Sequence, residues 1–309
     1  MSFASDVRSG LAERPRHLPP RWFYDDLGSR IFDSLCCLPW YRITRAELSL
    51  LTAFRGEIRK SFGKPDLVVE LGCGNGEKLV VLLEGLVLPG EAASVGLVDL
   101  SAEALSGARA RLSARPELTV SSLRARYETG IDKAVCGEEG RILVAFLGSN
   151  IGNFNPRDTA RFLRRIRRCL RKGDGFLLGA DLVKDERTLL LAYDDPLGLT
   201  AAFNKNLLVR MNRELGADFD LHAFEHRAVW NAEASRVEMH LLSRWPQVVT
   251  IPGADLTIRL RSQETIFTEA SYKYTPEGLS AMLEDAGFIL GRTWTDHDAL
   301  FSLSLFRVP

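Results

Sequence analysis

The sequence predicts an α/β fold: a doubly wound parallel sheet with a second, strand-rich α+β lobe added to it. Three observations predict this. Between about residues 49 and 183, short apolar runs alternate with helix-periodic stretches, the pattern of parallel strands joined by helical crossovers. From about 226 to 272, apolar and polar residues alternate with period two, as strands with one buried face require. The first 48 or so residues show no strand–helix alternation and are assigned to the added lobe. The expected division is 49–183 plus 274–309 for the wound sheet and 1–48 plus 184–273 for the lobe.

The elements follow in order. "DLVVELG" (66–72) reads as a buried strand and "GEKLVVLLEGL" as the helix after it. "SVGLVDL" (94–100) is a second strand, and "SAEALSGARARLSA" a helix with a Ser cap and Glu103 in its first turn. "LTVSSLRARY" is a third strand, "RILVAFLG" a fourth and "GFLLGADLV" a fifth, with the helix "NPRDTARFLRRIRRCLRK" between the last two. "DERTLLLAYDD" and "LTAAFNKNLLVRMNREL" are helical, and strands with turns at "NAEAS" and "PGAD" follow. "TPEGLSAMLEDAGF" is a helix with Pro276 near its start and Gly287 past its end. "ILGRTWTD" and "FSLSLFRV" form a closing antiparallel pair.

Composition narrows the classes of function. Of 309 residues, 46% are hydrophobic and 26% charged, with 40 basic and 40 acidic side chains cancelling. Zero net charge argues against a general affinity for nucleic acid or anionic membranes. The basic run Arg161–Lys172 carries apolar residues at helical spacing and reads as a solvated helix face. Five cysteines without repeating spacing give no disulfide framework, and reduced thiols in the cytoplasm are expected. The five histidines lack metal-ligand spacing, so no metal is expected. No signal pattern or membrane-length apolar run is present.

"VVELGCGNGEK" (68–78) sets Gly72, Gly74 and Gly76 at a strand-to-helix turn. Glycines admit a ligand close to the backbone, and the helix N-terminus favours an electronegative group. The spacing also suits a dinucleotide fingerprint. Two carboxylates favour a different ligand: Glu70 before the glycines, and Asp99 at the end of the next strand, placed to take ribose hydroxyls. A carboxylate-bearing loop suits a cationic sulfonium and not a pyrophosphate. The pattern resembles that of S-adenosyl-L-methionine-dependent, Rossmann-like (class I) methyltransferases. A second glycine-rich turn, "FLGSNIGNF" (146–154), ends the fourth strand. It reads as a tight turn or as amide groups presented to a small ligand.

Four further segments are similar to one family, the histidine Nα-methyltransferases of ergothioneine biosynthesis. They are "YDDLGSRIFDSLCCLPWYRITRAE" (24–47), "FLGSNIGNF", "AYDDPLGLTAAFNKNLL" (192–208) and "IFTEASYKY" (266–274). The resemblance implies a methyltransferase domain plus a substrate lobe formed by the N-terminal segment and an insert. It implies that Gly72, Gly74, Lys78 and Gly148 line the S-adenosyl-L-methionine site with Glu70, and that Asp99 holds the ribose. The adenine position falls at Arg126 and Tyr127, where the family usually has Asp-Phe. Asn153, Tyr41 and Tyr193 match residues on the amino acid's α-amino and carboxylate end. Tyr24 matches the tyrosine beside the reacting amine, and with Asn153 is assigned to catalysis. Glu269 and Ser271 match an imidazole clamp, and Met239 an apolar wall.

From the residues alone, plainer roles stand beside these. Asn153 could cap the helix at Pro156, the tyrosines could be half-buried aromatics, and Met239 could be core. Along the strand, Glu269 shares a face with Phe267 and Ser271, and Thr268 and Ala270 point the other way. The function expected is trimethylation of L-histidine to the betaine hercynine by a monomer. The alternatives are methylation of another free amino acid, such as tryptophan or tyrosine, and a non-catalytic module on the same fold. Glu269 argues against an apolar ring, and the intact glycine loop and Asp99 argue against decay.

Overall fold

The computed structural model describes residues 2–309. Helices α1 (Phe3–Ala12) and α2 (Asp26–Cys36) flank a two-residue strand, β1 (Arg16–His17). Ser2 and Asp25 cap these helices, accepting from the Ser5 and Gly28 amides. Then come α3 (Ile43–Phe62), β2 (Leu67–Leu71), α4 (Glu77–Leu86), β3 (Ala93–Asp99), α5 (Ala102–Leu112) and β4 (Leu118–Arg124). The alternation continues through α6 (Tyr127–Ala134), β5 (Ile142–Phe146), α7 (Pro156–Cys169) and β6 (Gly175–Asp181). After α8 (Glu186–Tyr193) and α9 (Leu199–Leu215) run β7 (Phe224–Asn231), β8 (Arg236–Ser243), β9 (Gln247–Ile251), β10 (Leu256–Leu260) and β11 (Thr265–Tyr272). The chain closes with α10 (Pro276–Asp285), β12 (Ile289–Asp296) and β13 (Phe301–Arg307).

These elements form two compact units. The wound-sheet unit comprises Ile43–Val183 and Lys273–Pro309. Its seven strands lie in the order β12-β13-β6-β5-β2-β3-β4. β2 pairs in parallel with both β3 and β5, and β13 runs antiparallel to β6 and β12. The strand order reverses between β2 and β5, and in such sheets ligands bind beyond the carboxyl ends at that point. Every residue of β2 and β5 is buried, so the two strands are fixed by packing and the loops after them are free to serve a ligand. On one face Val69, Val144, Phe146, Leu178 and Phe306 pack against Phe162, Ile166 and Phe288.

α7 turns its arginines outward. Arg161 pairs with Asp158 and Arg165 with Asp132, whereas Phe162, Leu163, Ile166 and Cys169 face the core. Two expectations are corrected in this unit. Residues 43–48, assigned from sequence to the added lobe, are the opening turns of α3, whose buried positions from Ile43 onward belong to this unit. Cys136 and Cys169, expected as free thiols, form a disulfide. α6 and α7 lie side by side, which brings the residues at their ends together.

The insert unit comprises residues 2–42 and Lys184–Tyr272. Its main sheet runs β1-β11-β8-β7, with β1 parallel to β11 and the other pairs antiparallel; β9 and β10 form a separate hairpin. Phe203, Leu207, Leu208 and Met211 of α9 pack with Phe23, Phe224, Met239, Leu241 and Ile266. The β11–β8 register shifts between Phe267 and Glu269. Among the described residues, no helix is long and apolar enough to cross a membrane.

Candidate functional site

The loop after β2 folds back on the end of β3. The Gly72 amide donates to the Val98 carbonyl at 2.7 Å, and the Gly74 amide to Asp99 Oδ2 at 3.1 Å. The other Asp99 oxygen accepts from the Ser101 amide at 2.9 Å. Two backbone donors thus orient the carboxylate at the strand end. A Cβ on Gly72 would lie 2.9 Å from the Tyr127 ring, and its φ of +76° also calls for glycine.

Glu70 lies on β2 just before this loop, 2% exposed, and its Oε2 has no hydrogen-bond partner among the described residues. Burial pushes its carboxyl well above the ordinary range, against the pull of Lys78; Glu47 and Asp99 push the same way as burial. An unpartnered buried oxygen beside a glycine cradle fits a ligand that brings its own donor. Cys73, in the same loop, has its thiol pushed up by burial and by the charges of Glu70 and Asp99, which makes it inert.

Tyr127 opens α6 and packs edge-on against Phe146 at 5.3 Å. Burial raises its hydroxyl pKa, so it stays a neutral phenol. The Arg126 guanidinium is spent on Glu128, with Nη2 2.8 Å from Oε1. This position therefore offers a ligand the ring of Tyr127 and backbone groups.

The turn after β5 has Gly148 and Ser149 at positive φ, +77° and +57°. The Gly148 amide donates to both oxygens of Glu47, at 2.9 and 2.8 Å, and Lys78 Nζ lies 2.5 Å from Glu47 Oε2. Ser149 Oγ accepts from the Asp181 amide. Asn153 ends a short 3-10 turn (Asn150–Asn153). It is not the cap of α7: Asn155 is, accepting from the Asp158 amide. The half-buried Asn153 side chain has no hydrogen-bond partner among the described residues.

In the insert unit, Tyr24, Tyr41, Tyr193, Glu269 and Ser271 come together. Tyr193 Oη donates to Ser271 Oγ at 2.7 Å, and both residues are buried. Tyr41 is 8% exposed; burial, and then the nearby Tyr193, Cys36, Tyr24 and Glu269, drive its hydroxyl pKa far up, so it stays protonated. The Tyr24 ring stands edge-on to Phe32 at 5.5 Å and to Phe203 at 5.7 Å. Met239 pairs with Glu269 across the β8–β11 ladder and is buried in the core of this unit.

The bulge corrects one detail of the sequence reading. With one extra residue in β11, Phe267 does not share a face with Glu269. It is half-exposed, with His240 5.4 Å and Arg236 5.9 Å away, whereas Glu269 and Ser271 turn inward at 7% and 4% exposure. Thr268, expected on the opposite face, is buried and donates to the Met239 carbonyl. Bulges re-aim side chains in this way. Sequence reading missed Phe32 and Phe203, which wall Tyr24, and Glu47. Phe32 and Phe203 lie in two of the segments that carried the resemblance, without a motif of their own.

A glycine loop at the switch point, with a strand-end aspartate and an unpartnered buried glutamate, fits an S-adenosyl-L-methionine-dependent methyltransferase. The model of the SAM-dependent, histidine-specific methyltransferase family matches residues 3–308, and the chain belongs to that family. The histidine N-alpha-methyltransferase of Mycolicibacterium smegmatis is 42% identical over 301 residues, covering 97% of this chain and 93% of that protein. Ergothioneine biosynthesis protein 1 of Neurospora crassa is 30% identical over 287 residues, which are 91% of this chain and 32% of that longer protein. A solved S-adenosylmethionine-dependent methyltransferase of Clostridium acetobutylicum superposes with a TM-score of 0.50. It covers 90% of this chain and 98% of its own at 13% identity, which shows the fold alone.

Proposed function

We propose that the protein methylates the α-amine of L-histidine three times, giving hercynine as the first step of ergothioneine biosynthesis. The family match and the N-alpha-methyltransferase relative support the reaction, and the ergothioneine relative supports its setting. The observation that carries the substrate assignment is the buried Glu269 carboxylate, turned inward beside the Tyr193–Ser271 hydrogen bond. An inward-facing carboxylate can accept a hydrogen bond from an imidazole N–H, which an apolar ring cannot offer.

S-adenosyl-L-methionine, when bound, supplies a methyl group on a positively charged sulfur. The chain's residues do the rest by binding, orientation and proton handling. Gly72, Gly74, Gly148 and Lys78 are assigned to its amino-acid end with Glu70, Asp99 to its ribose, and Tyr127 with the Arg126 backbone to its adenine. The insert unit is read as the substrate lobe. There Glu269 and Ser271 take the imidazole, Met239 walls it, and Tyr41 and Tyr193 take the carboxylate end. Asn153 is assigned to the α-amino and carboxylate end. The amine must be neutral to attack the methyl group, which the bound cofactor would give up from sulfur as the new N–C bond formed, leaving S-adenosylhomocysteine. The Tyr24 hydroxyl is assigned to pass the amine's surplus proton to water. The reading extends to a monomer working in the cytoplasm, where both small molecules are available.

The test is substrate choice. Sites built around buried polar groups reject ligands that leave them unpaired. Histidine should exceed tryptophan, tyrosine and phenylalanine in kcat/KM by at least about 100-fold. Glu269→Ala should lower histidine turnover and narrow that gap. A variant with wild-type selectivity would remove Glu269 from the clamp.

A further inference from the structure

Glu47 is a fully buried carboxylate, 0% exposed, in the second turn of α3. Both of its oxygens accept from the Gly148 amide, and Lys78 reaches it from the first turn of α4. The fold makes room for it: a Cβ at position 179 would stand 1.8 Å from Glu47 Oε1, so β6 carries glycine there. Gly148 and Lys78 are themselves close, since a Cβ on Gly148 would fall 3.3 Å from Lys78 Nζ. One carboxylate therefore ties together the two residues assigned to one end of the cofactor.

A second carboxylate, Glu70, stands on β2 just before the glycine loop that leads into α4 and Lys78. Glu70 feels the charges of both Lys78 and Glu47, and its Oε2 is the acceptor without a partner among the described residues. The Lys78 charge therefore acts on both carboxylates, while its ion pair is with Glu47. Paired with Glu47, it leaves the Glu70 oxygen open to a ligand's ammonium and keeps its own charge beside Gly148 for a ligand's carboxylate. Paired with Glu70, it would fill the first of these places. The zwitterionic amino-acid end of the methyl donor carries both groups.

We infer that Glu47 is a positioning residue for the amino-acid end of the cofactor: it holds Lys78 away from Glu70 and fixes the Gly148 amide. This rests on the cofactor reading above and deepens it. Glu47 touches no substrate and carries no proton in the reaction.

A brace that merely supports the fold would affect every ligand of the loop alike. Two ligands separate the cases. S-adenosylhomocysteine carries the amino-acid end, and 5′-methylthioadenosine keeps the nucleoside and sulfur without it. Calorimetry on the full chain should show Glu47→Gln weakening S-adenosylhomocysteine at least tenfold, with 5′-methylthioadenosine changed less than twofold. Equal losses for both ligands, or no loss for either, would overturn the role. Wild-type protein that does not prefer S-adenosylhomocysteine would overturn the cofactor assignment itself. Should Glu47→Gln fail to fold, the cause is a half-buried lysine left without its partner. The double variant Glu47→Gln/Lys78→Gln removes both charges and should fold. It should then lose the preference for S-adenosylhomocysteine, and a retained preference would overturn the proposal.

Discussion

Asp99 accepts from the Gly74 and Ser101 amides, so it shapes the turn after β2, and the second job proposed for its carboxylate is to hold the cofactor's ribose. Charge-assisted bonds to two ribose hydroxyls would each contribute about 1.5–3 kcal/mol. Asp99→Ala should therefore lower S-adenosylhomocysteine affinity by at least tenfold in a calorimetric titration; unchanged affinity would place the cofactor elsewhere. This residue was legible because its partners are announced by glycines and a strand end close by in the sequence. Glu47 was not, because the amide it receives lies 101 positions away and nothing in "ITRAEL" marks a buried carboxylate. The Asn153–Asn155 distinction was equally hidden: either asparagine can precede a Pro-initiated helix, and the 3-10 turn decides which one caps it.

At the scale of elements, the end of α8 is held by a buried network. His226 Nδ1 is 2.9 Å from Asn204 Nδ2, which can only donate, so Nδ1 accepts and the proton sits on Nε2. That Nε2–H donates to the Tyr193 carbonyl at 2.8 Å, at the last turn of the helix that carries Tyr193. The network needs neutral histidine, and burial lowers the His226 pKa from 6.5 despite the Tyr193 carbonyl. The sign follows from which state binds the proton first. Below pH 6.5 the unfolded chain protonates and the folded one resists, so stability is full above about 6.5 and falls with pH until the folded pKa is reached. The slope from this one group is at most about 1.4 kcal/mol per pH unit. Thermal melts from pH 7.5 to 5.5 should show His226→Gln less stable at pH 7.5 but with a shallower decline than wild type. Parallel declines would mean that His226 does not titrate out of register with the unfolded chain. His240, also lowered by burial, keeps part of the slope in both proteins.

Period-two alternation located the run of strands from β7 to β11, because these strands have one face on a core. It could not reveal the bulge at Thr268, since one inserted residue leaves the apolar pattern readable in two registers. That single shift is what turns Glu269 inward and leaves Phe267 half-exposed beside Arg236. α6 also escaped, as eight residues with a weak apolar stripe resemble a loop.

For the whole molecule, the two-part organisation showed in the change of period near residue 184, and the cofactor loop in its glycines. The disulfide between Cys136 and Cys169 did not show, because it depends on α6 and α7 lying side by side. The division of labour bears on how far methylation runs. The proposed anchors for the amino acid are its ring and its carboxylate end, held by Glu269, Ser271, Tyr41 and Tyr193. None of these contacts changes as methyl groups replace N–H bonds. The Tyr24 face, edged by Phe32 and Phe203, suits a growing alkylated cation. Intermediates should then bind as well as histidine, and each needs only to shed a proton before the next transfer until none remains. A mass-spectrometric time course with limiting enzyme, excess S-adenosyl-L-methionine and L-histidine tests this most directly. The account predicts transient mono- and dimethylhistidine converging on the Nα-trimethylated betaine. A stable monomethyl product with dimethylhistidine refused, or methyl groups on the imidazole ring, would contradict it.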